Sequence, residues 1–263
     1  MRAALTLGLT VLALFAGALA LWLVESTTPA PTGGASPSAV AAETRAAPRQ
    51  PYVLAVSWHP AFCETKPGLE ECRLERASDY AADHFSLHGL WPQEVEYCGI
   101  SQRIVDTDRA GRWLRLPEIE VSAATRRDLA QLMPGSRDGL ERHEWTLHGS
   151  CAGVSAETYF SRALALTDEL NASSVRDLLA ANIGKRLTSG AIRAAFDDAF
   201  GSGAGRKVRL DCARDGKRDL LVELRINLDG DVMGSAGLGA AISQARSISA
   251  GCQGGIVDRA GQQ

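Results

Sequence analysis

The sequence predicts an α+β domain with a mainly antiparallel central sheet, flanked by helices and stabilised by disulfides. Short β-branched and aromatic segments lie near both ends of the folded region, and the middle has the apolar spacing of amphipathic helices. Six cysteines in an apparently exported chain favour disulfides over free thiols. The 263 residues, 45% of them hydrophobic, indicate one ordinary globular domain with an extension.

The N-terminus, residues 1–24, has the features of an export signal. Arg2 precedes an uncharged stretch, Ala3 to Val24, which contains the small-residue pattern Ala18-Leu19-Ala20 that a signal peptidase accepts. Residues 3–24 are also long enough to cross a bilayer, so an uncleaved membrane anchor is the alternative. We therefore expect a periplasmic or secreted protein, released or tethered to the membrane.

Regular structure is predicted to begin after residues 25–50, which are rich in Ala, Pro, Ser and Thr and typical of a flexible linker. The folded, catalytic domain would span 51–258. Strands are predicted over 52–58, 84–90, 207–210 and 220–228, and helices over 122–132, 157–170 and 189–200. Trp91-Pro92 is expected to end the second strand, in which His84, Ser86 and His88 would share one face.

Charge and motifs exclude several classes of function. The formal net charge of -3 argues against a protein that holds long duplexes by counterion release, but not against an enzyme that contacts a few phosphates. The chain has no internal repeat and no Gly-rich phosphate loop, so nucleotide-dependent chemistry and an organic cofactor are not expected.

The cysteines lie at positions 63, 72, 98, 151, 212 and 252, and fifteen pairings are formally possible. None of the spacings is the Cys-x-x-Cys of zinc ribbons or redox sites, which favours structural disulfides. Cys151 lies three residues after His148, and a cysteine-protease nucleophile beside a histidine is therefore an alternative. A disulfide is the stronger interpretation of Cys151, because the chain has a predicted export signal and five other cysteines.

Four of the five histidines fall in two short segments, His84 to Pro92 and His143 to Cys151. A single histidine is usually a structural residue satisfied by hydrogen bonds, but this clustering indicates a site. A zinc protease requires His-Glu-x-x-His, whereas His143 and His148 are five apart and would diverge by about 140° on a helix. Glu144 and His148 are four apart, a spacing that favours a carboxylate beside a titrating imidazole.

These two segments resemble the active-site motifs of the T-two family of acid ribonucleases. Phe85-Ser86-Leu87-His88-Gly89-Leu90-Trp91-Pro92-Gln93 is similar to the first motif, and His143-Glu144-Trp145-Thr146-Leu147-His148-Gly149-Ser150-Cys151 to the second. The resemblance covers residues 51–255 and implies the fold of that family. It also implies the disulfides Cys98 with Cys151 and Cys212 with Cys252, which leaves Cys63 with Cys72.

The resemblance implies an endoribonuclease that cleaves RNA without a metal and leaves a 2′,3′-cyclic phosphate. His148 would be the base, His88 the acid, His143 a phosphate-binding imidazole and Glu144 an aid to the intermediate, while Trp91 would stack on a base. One neutral and one protonated imidazole coexist best in mildly acidic solution, so such an enzyme would work below neutrality. We expect RNA as the partner, little base specificity, no metal and a monomer.

Leu147 departs from the motif, because the family normally has a lysine there that helps to neutralise the transition state. Losing one such electrostatic contact costs about 10²–10³ in rate. Arg142, the nearest cation in sequence, is our candidate replacement. The alternative is a catalytically weakened relative that binds RNA or a protein, and a zinc hydrolase is a third, less favoured hypothesis.

Overall fold

The computed structural model of the chain describes residues 50–261. The predicted export segment, 1–24, and all but the last residue of the predicted linker, 25–50, lie outside these residues. Within 50–261, no helix combines the length and the apolar character needed to cross a membrane.

One mixed, mainly antiparallel sheet organises the described residues, and it confirms the predicted α+β class. Its strands are β1 (Tyr52–Ser57), β2 (Ser86–Pro92), β3 (Arg186–Thr188), β4 (Val208–Asp215), β5 (Arg218–Leu228) and β6 (Gly254–Ile256). The long strand β5 is antiparallel to both β1 and β4, and β2 continues the sheet beyond β1. β6 is parallel to β5 and carries β3 antiparallel to it.

Helices surround this sheet in the described part of the chain. They are α1 (His59–Thr65), α2 (Glu70–Arg73), α3 (Gln102–Arg109), α4 (Ala123–Leu132), α5 (Leu140–Leu147), α6 (Ala156–Asn171), α7 (Ser174–Ala180), α8 (Ser189–Phe200) and α9 (Leu238–Gln244). Three of them, α4, α6 and α8, confirm the predicted helices. The hydroxyl of Ser122 accepts a hydrogen bond from the amide of Thr125, which caps the first turn of α4.

The core lies between the sheet and α6, which contacts β1 and β2. All six residues of β1 are buried, and Tyr159 and Phe160 on α6 are fully buried against the same core. Burying a side chain as large as Phe160 contributes about 1.5–3 kcal/mol relative to leaving it exposed. The sheet is therefore a rigid platform for the side chains on its remaining surface.

The second strand begins and ends two residues later than predicted. His84 lies outside β2 and stacks on Tyr80 instead, with ring centroids 3.9 Å apart. Trp91 and Pro92 belong to the strand instead of following it, since Pro92 is the last residue of β2 and is paired with Tyr52. Proline is tolerated there because β2 is an edge strand, where one side of the backbone needs no partner.

A bulge in β2 determines which side chains face the site. Val56 pairs with Leu87 and Ala55 with Gly89, so His88 is an extra residue in the register. Regular alternation would put Leu87 and Leu90 on opposite faces, but both are buried in the core. The extra residue lets His88 and Trp91 emerge together from the other face. The predicted common face of His84, Ser86 and His88 is wrong for His84, which lies outside the strand, whereas Ser86 and His88 line the same cavity.

Three disulfides join the described residues in the pairs that the resemblance implies. Cys63 is bonded to Cys72, Cys98 to Cys151, and Cys212 to Cys252. The second bridge closes a segment of 53 residues and anchors the chain just after the second histidine motif. A bridge of this kind typically stabilises a protein by about 2–4 kcal/mol.

Candidate active site

His88 stands between two carboxylates on different elements. Its Nδ1 lies 2.5 Å from Oε2 of Glu223 on β5, and its Nε2 lies 3.6 Å from Oε1 of Glu144 on α5. Burial by itself would lower the pKa of His88, but the hydrogen bond that its Nδ1 donates to Glu223 and the two negative charges outweigh burial and raise the pKa. The surroundings therefore favour the protonated imidazolium.

Glu144 is buried, with 1% of its side-chain surface exposed, and it lies at the centre of the cluster. The indole Nε1 of Trp91 donates a hydrogen bond to Oε2 of Glu144 at 2.8 Å, and Nε2 of His143 lies 4.0 Å from Oε1. Burial raises the pKa of this carboxyl, which the neighbouring imidazoles of His88 and His143 partly counteract.

Gly89 makes this close approach possible. A Cβ atom at position 89 would lie 2.0 Å from Oε2 of Glu144 and 2.4 Å from Nε1 of Trp91. Contacts this short do not occur between real atoms, so any side chain here would displace the carboxylate from the indole. The glycine of the first motif is thus needed for the contact between β2 and α5.

His143 is held from two sides. Its Nδ1 lies 2.7 Å from Oδ1 of the buried Asp108 on α3, whose other oxygen accepts a hydrogen bond from the Tyr97 hydroxyl at 2.7 Å. The ring also stacks on Trp113, with centroids 4.4 Å apart and planes 16° apart. With Nδ1 donating to Asp108, the Nε2 of His143 is presented to Glu144.

His148 follows the last residue of α5 and has an apolar environment. Its ring lies 5.4 Å from that of Trp91, and its Nδ1 is buried with no hydrogen-bond partner among the described residues. Burial is the largest cause that lowers the pKa of His148 to about 4, and the nearby imidazoles of His143 and His88 act in the same direction. This imidazole is therefore neutral except in acid.

Glu144 associates with a different imidazole from the one that the sequence spacing suggests. Its carboxylate lies within 4.0 Å of His88 and His143, whereas no ion pair within that distance joins it to His148 among the described residues. The backbone amide of His148 still donates a helical hydrogen bond to the carbonyl of Glu144 at 3.0 Å, but the His148 ring lies beside Trp91 instead of the Glu144 carboxylate.

Arg142 does not replace the missing lysine. Its guanidinium donates hydrogen bonds to the carbonyl oxygens of Leu114 and Leu116, each at 3.1 Å, and lies 3.4 Å from Glu118. On α5 it is two residues from Glu144, about 200° around the helix, so the two side chains point in different directions. The hypothesis that Arg142 compensates for Leu147 is therefore wrong.

Arg225 is a cation that lies beside the cluster. Its guanidinium carbon lies 5.3 Å from the centroid of the Trp91 ring, and its Nε lies 2.7 Å from Glu223 and 2.9 Å from Asp211. These carboxylates offset most of its charge. Arg225 thus orders Glu223 behind His88 and packs on Trp91.

Two cavities open on either side of the cluster. One, of about 670 Å³, is lined by His88 and by apolar side chains that include Phe62, Trp113 and Leu140. The other, of about 510 Å³, is lined by Trp91, His148 and residues 92–96. A ligand that spans both cavities would cross the histidine cluster.

Sequence reasoning identified the side chains of the two motifs but missed those that hold them. Glu223, Arg225, Asp108 and Trp113 lie far from both motifs in the chain, and the sequence around Asp108 and Trp113 contains no signal. A signal for Glu223 and Arg225 was present in the sequence, since two charged residues two positions apart lie inside the apolar strand β5 and therefore share one face of it. Trp145 packs against the core and the Tyr159 ring.

One His/Cys group among the described residues has its ligand atoms close enough together to hold a metal ion, namely His59, Cys63 and Cys72. Both cysteines are consumed by their disulfide. The imidazole of His59 lies instead between Glu71 and Glu75, at 3.0 and 3.1 Å. This group is therefore a buried ion-pair cluster.

Comparisons with known proteins relate this chain to ribonucleases. The model of the Ribonuclease T2 family matches residues 50–235. Ribonuclease I of Escherichia coli (strain K12) is 31% identical over 205 residues, 69% of this chain and 76% of that protein. Ribonuclease T2 of Homo sapiens is 31% identical over 133 residues, 47% of this chain and 44% of that protein.

Solved structures share the fold at lower identity. A mutant of RNase MC1 in complex with 5′-GMP superimposes with a TM-score of 0.54 at 20% identity, over 79% of this chain and 99% of that one. Japanese pear S3-RNase superimposes with a TM-score of 0.51 at 16% identity, over 79% of this chain and 98% of that one. These likenesses establish the architecture.

Proposed function

The chain belongs to the Ribonuclease T2 family and is an endoribonuclease, and we propose that it cleaves single-stranded RNA by metal-independent transesterification. In the proposed step His148 removes the proton of a ribose 2′-hydroxyl, and the 2′-oxygen attacks phosphorus. His88 donates its proton to the departing 5′-oxygen. The products are a 2′,3′-cyclic phosphate end and a free 5′-hydroxyl.

The observation that carries this assignment is the opposite environment of the two imidazoles. Two carboxylates surround His88 and raise its pKa, while burial and two neighbouring imidazoles lower the pKa of His148 to about 4. A base must be neutral and an acid protonated at the same pH, and these pKa shifts favour that combination over a wide range. The reverse assignment would start from the minor protonation state of both groups.

The remaining side chains of the cluster suit the charge that develops on phosphorus. In its protonated form His143, oriented by Asp108 through Nδ1, presents Nε2–H as a donor to a phosphoryl oxygen, and Glu144 keeps the imidazoles in place around it. Donors fixed before the reaction contribute more than mobile ones, since no reorganisation is needed in the transition state. Trp91, which borders the second cavity, offers a stacking face that does not distinguish bases, consistent with little base specificity.

Cleavage of homopolymeric RNA at about pH 5–6 in the presence of EDTA tests the proposal. We expect a cyclic-phosphate product, detectable by ³¹P NMR, and loss of cleavage in His88→Ala and His148→Ala. His84→Ala is the matched control, because His84 lies outside the cluster on Tyr80. Cleavage that needs a divalent metal, or that survives both alanine variants, would rule the mechanism out.

A second candidate function rests on Leu147. This residue is four positions from His143 and three from Glu144 on α5, so a lysine at 147 would share their helical face. With Arg142 directed elsewhere, the second candidate is a weakened relative that binds RNA or a protein through the same site. Tight binding of RNA with no cleavage at micromolar enzyme would favour this function.

We also propose that the protein is exported to the periplasm or secreted and acts as a monomer. The three disulfides persist only in an oxidising compartment. Residues 1–24 would supply the export signal, or an anchor if they are not removed. N-terminal sequencing and membrane fractionation distinguish release from tethering, and analytical ultracentrifugation tests the monomer.

A further inference from the structure

A groove with three arginines lies on the surface between α3 and the segment of residues 112–117. It has a volume of about 240 Å³, and we call it the arginine groove. Its lining consists of Arg103, Ile104, Thr107, Arg112, Arg115, Leu116 and Pro117. None of these residues is acidic, so the groove is positive although the chain as a whole carries a net charge of -3.

The three arginine side chains of this groove are exposed and unpaired. Arg103, Arg112 and Arg115 make no side-chain hydrogen bond or ion pair with any described residue. By contrast, Arg218 and Arg225 are each held by carboxylates. Three unneutralised guanidinium groups in one concave surface repel one another, an arrangement that a polyanion would relieve.

The groove is continuous with the cavity beside His88. Arg112 and Arg115 line both, on the short helical turn that also carries Trp113. Trp113 stacks on His143, which fixes the turn to the catalytic cluster. Leu114 on the same turn is 59% exposed and gives the rim of the cavity an apolar surface.

We infer that the arginine groove binds the backbone phosphates of an RNA strand beyond the scissile phosphate. A strand bound across His88 that continues through the cavity passes the turn of Arg112 and Arg115 before it reaches Arg103. Free arginines bind phosphates bidentately, and a track of them follows a single strand without reading its sequence. This inference rests on the proposed function, because it extends the same site to longer substrates.

The acidic side chains of the cavity do not oppose this path. Glu71 is engaged by His59, and a carboxylate oxygen of Asp138 accepts a hydrogen bond from the amide of Glu71. Lys66, on the opposite wall, is exposed and has no side-chain partner among the described residues. The cavity lining thus has three cations, Lys66, Arg112 and Arg115, against the two carboxylates of Glu71 and Asp138.

Binding of a fluorescent 2′-O-methyl oligonucleotide, which lacks the attacking hydroxyl, tests the groove without requiring catalysis. The variant Arg103→Gln/Arg112→Gln/Arg115→Gln removes three charges, and fluorescence anisotropy over a range of salt concentrations gives the affinity. Each phosphate contact with a single strand contributes about 0.7 to the slope of log K against log salt. We expect weaker binding and a slope smaller by about 2.

The matched control is Arg127→Gln/Lys217→Gln/Arg246→Gln, which removes the same charge from exposed positions outside the groove. It should bind with the affinity and salt slope of the unmodified protein. If both triple variants behave alike, the groove does not bind RNA, whatever the activity. If only the groove variant loses affinity while the unmodified protein cleaves nothing, the groove stands and the proposed catalysis fails.

Discussion

The Nδ1 atom of His88 lies 2.5 Å from Oε2 of Glu223, a carboxylate 135 positions further along the chain. Glu223 is buried, and its own pKa is lowered, because the hydrogen bond and the charge of His88 outweigh the effect of burial. Each partner thus stabilises the charged form of the other. Glu223 is a positioning residue for the proposed acid.

Glu223→Gln should move the alkaline limb of the kcat/KM profile to lower pH. The variant removes the charge that raises the pKa of His88, so the imidazole loses its proton earlier as the pH rises. Above neutrality we expect a loss of up to about 10² in rate, the lower bound of what general acid catalysis contributes. The acid limb should not move.

Asp219→Asn is a suitable control, since Asp219 is a half-exposed carboxylate on the same strand, paired with Arg214 and Arg186. Its profile should match that of the unmodified protein. An unchanged alkaline limb in Glu223→Gln would show that Glu223 does not set the protonation of the acid.

His148 should titrate at about pH 4, far below the usual value for histidine. The ring signal followed by NMR as the pH is varied gives this pKa directly. In His88→Asn a neighbouring imidazole that lowers the pKa is absent, so the pKa of His148 should rise. A pKa near 6.5 in the unmodified protein, or no rise in the variant, would contradict the environment described for the proposed base.

Leu147→Lys should raise kcat by about 10²–10³, provided that the new ammonium reaches the phosphoryl group from the face it shares with His143 and Glu144. Arg142→Ala should leave cleavage unchanged, because its guanidinium is bound to the carbonyls of Leu114 and Leu116. Leu147→Met serves as the size-matched control. Steady-state cleavage of homopolymer RNA measures all three, and a faster Leu147→Met would point to packing instead of charge.

His59 should make the stability depend on pH. Burial alone would lower its pKa, but the hydrogen bonds to Glu71 and Glu75 outweigh burial and raise the pKa to about 9. Its contribution to the free energy of unfolding is therefore fully present below pH 6.5 and is lost as the pH rises through about 9. His59→Gln leaves two carboxylates buried without a cation, which costs about 3–5 kcal/mol.

Urea unfolding at pH 6 and above pH 9 measures this effect. The unmodified protein should lose more stability between the two conditions than His59→Gln does. His84→Gln, at a histidine on the domain surface, should follow the unmodified protein. Equal pH dependence in all three proteins would mean that the His59 cluster is not ionised as described.

The parts of the fold that could be predicted are those with a local cause. The cap at Ser122 and the apolar residues of β1 depend on residues that are adjacent in the sequence, so the bounds of α4 and β1 are predicted closely. The bulge at His88 is not recorded locally, because it follows from pairing with Val56 and Ala55. Prediction therefore placed the first motif on a strand but did not show that His88 and Trp91, three positions apart, emerge from the same face.

The same distinction applies to the candidate site. The two motifs identify His88, His143, Glu144 and His148 as site residues, because the residues of each motif are close in sequence. Glu223 and Asp108 act from other elements, and only the folded sheet and the packing of α3 bring them within hydrogen-bonding distance. Proximity in sequence also led to the incorrect expectation that Arg142 replaces the missing lysine at position 147, since Arg142 is adjacent to His143 yet points away from it.

Because of the extra residue in β2, the number of residues in this strand determines which side chains reach the candidate site. Between Leu87 and Leu90, which both belong to the core, the chain must supply two residues instead of one. Deletion of His88 would remove the imidazole, and deletion of Gly89 would put His88 opposite Ala55, where only a glycine leaves room for the carboxylate of Glu144. A substitution in this segment changes one side chain, whereas a deletion shifts the pairing register of the rest of the strand. We therefore expect β2 to tolerate substitutions more readily than deletions.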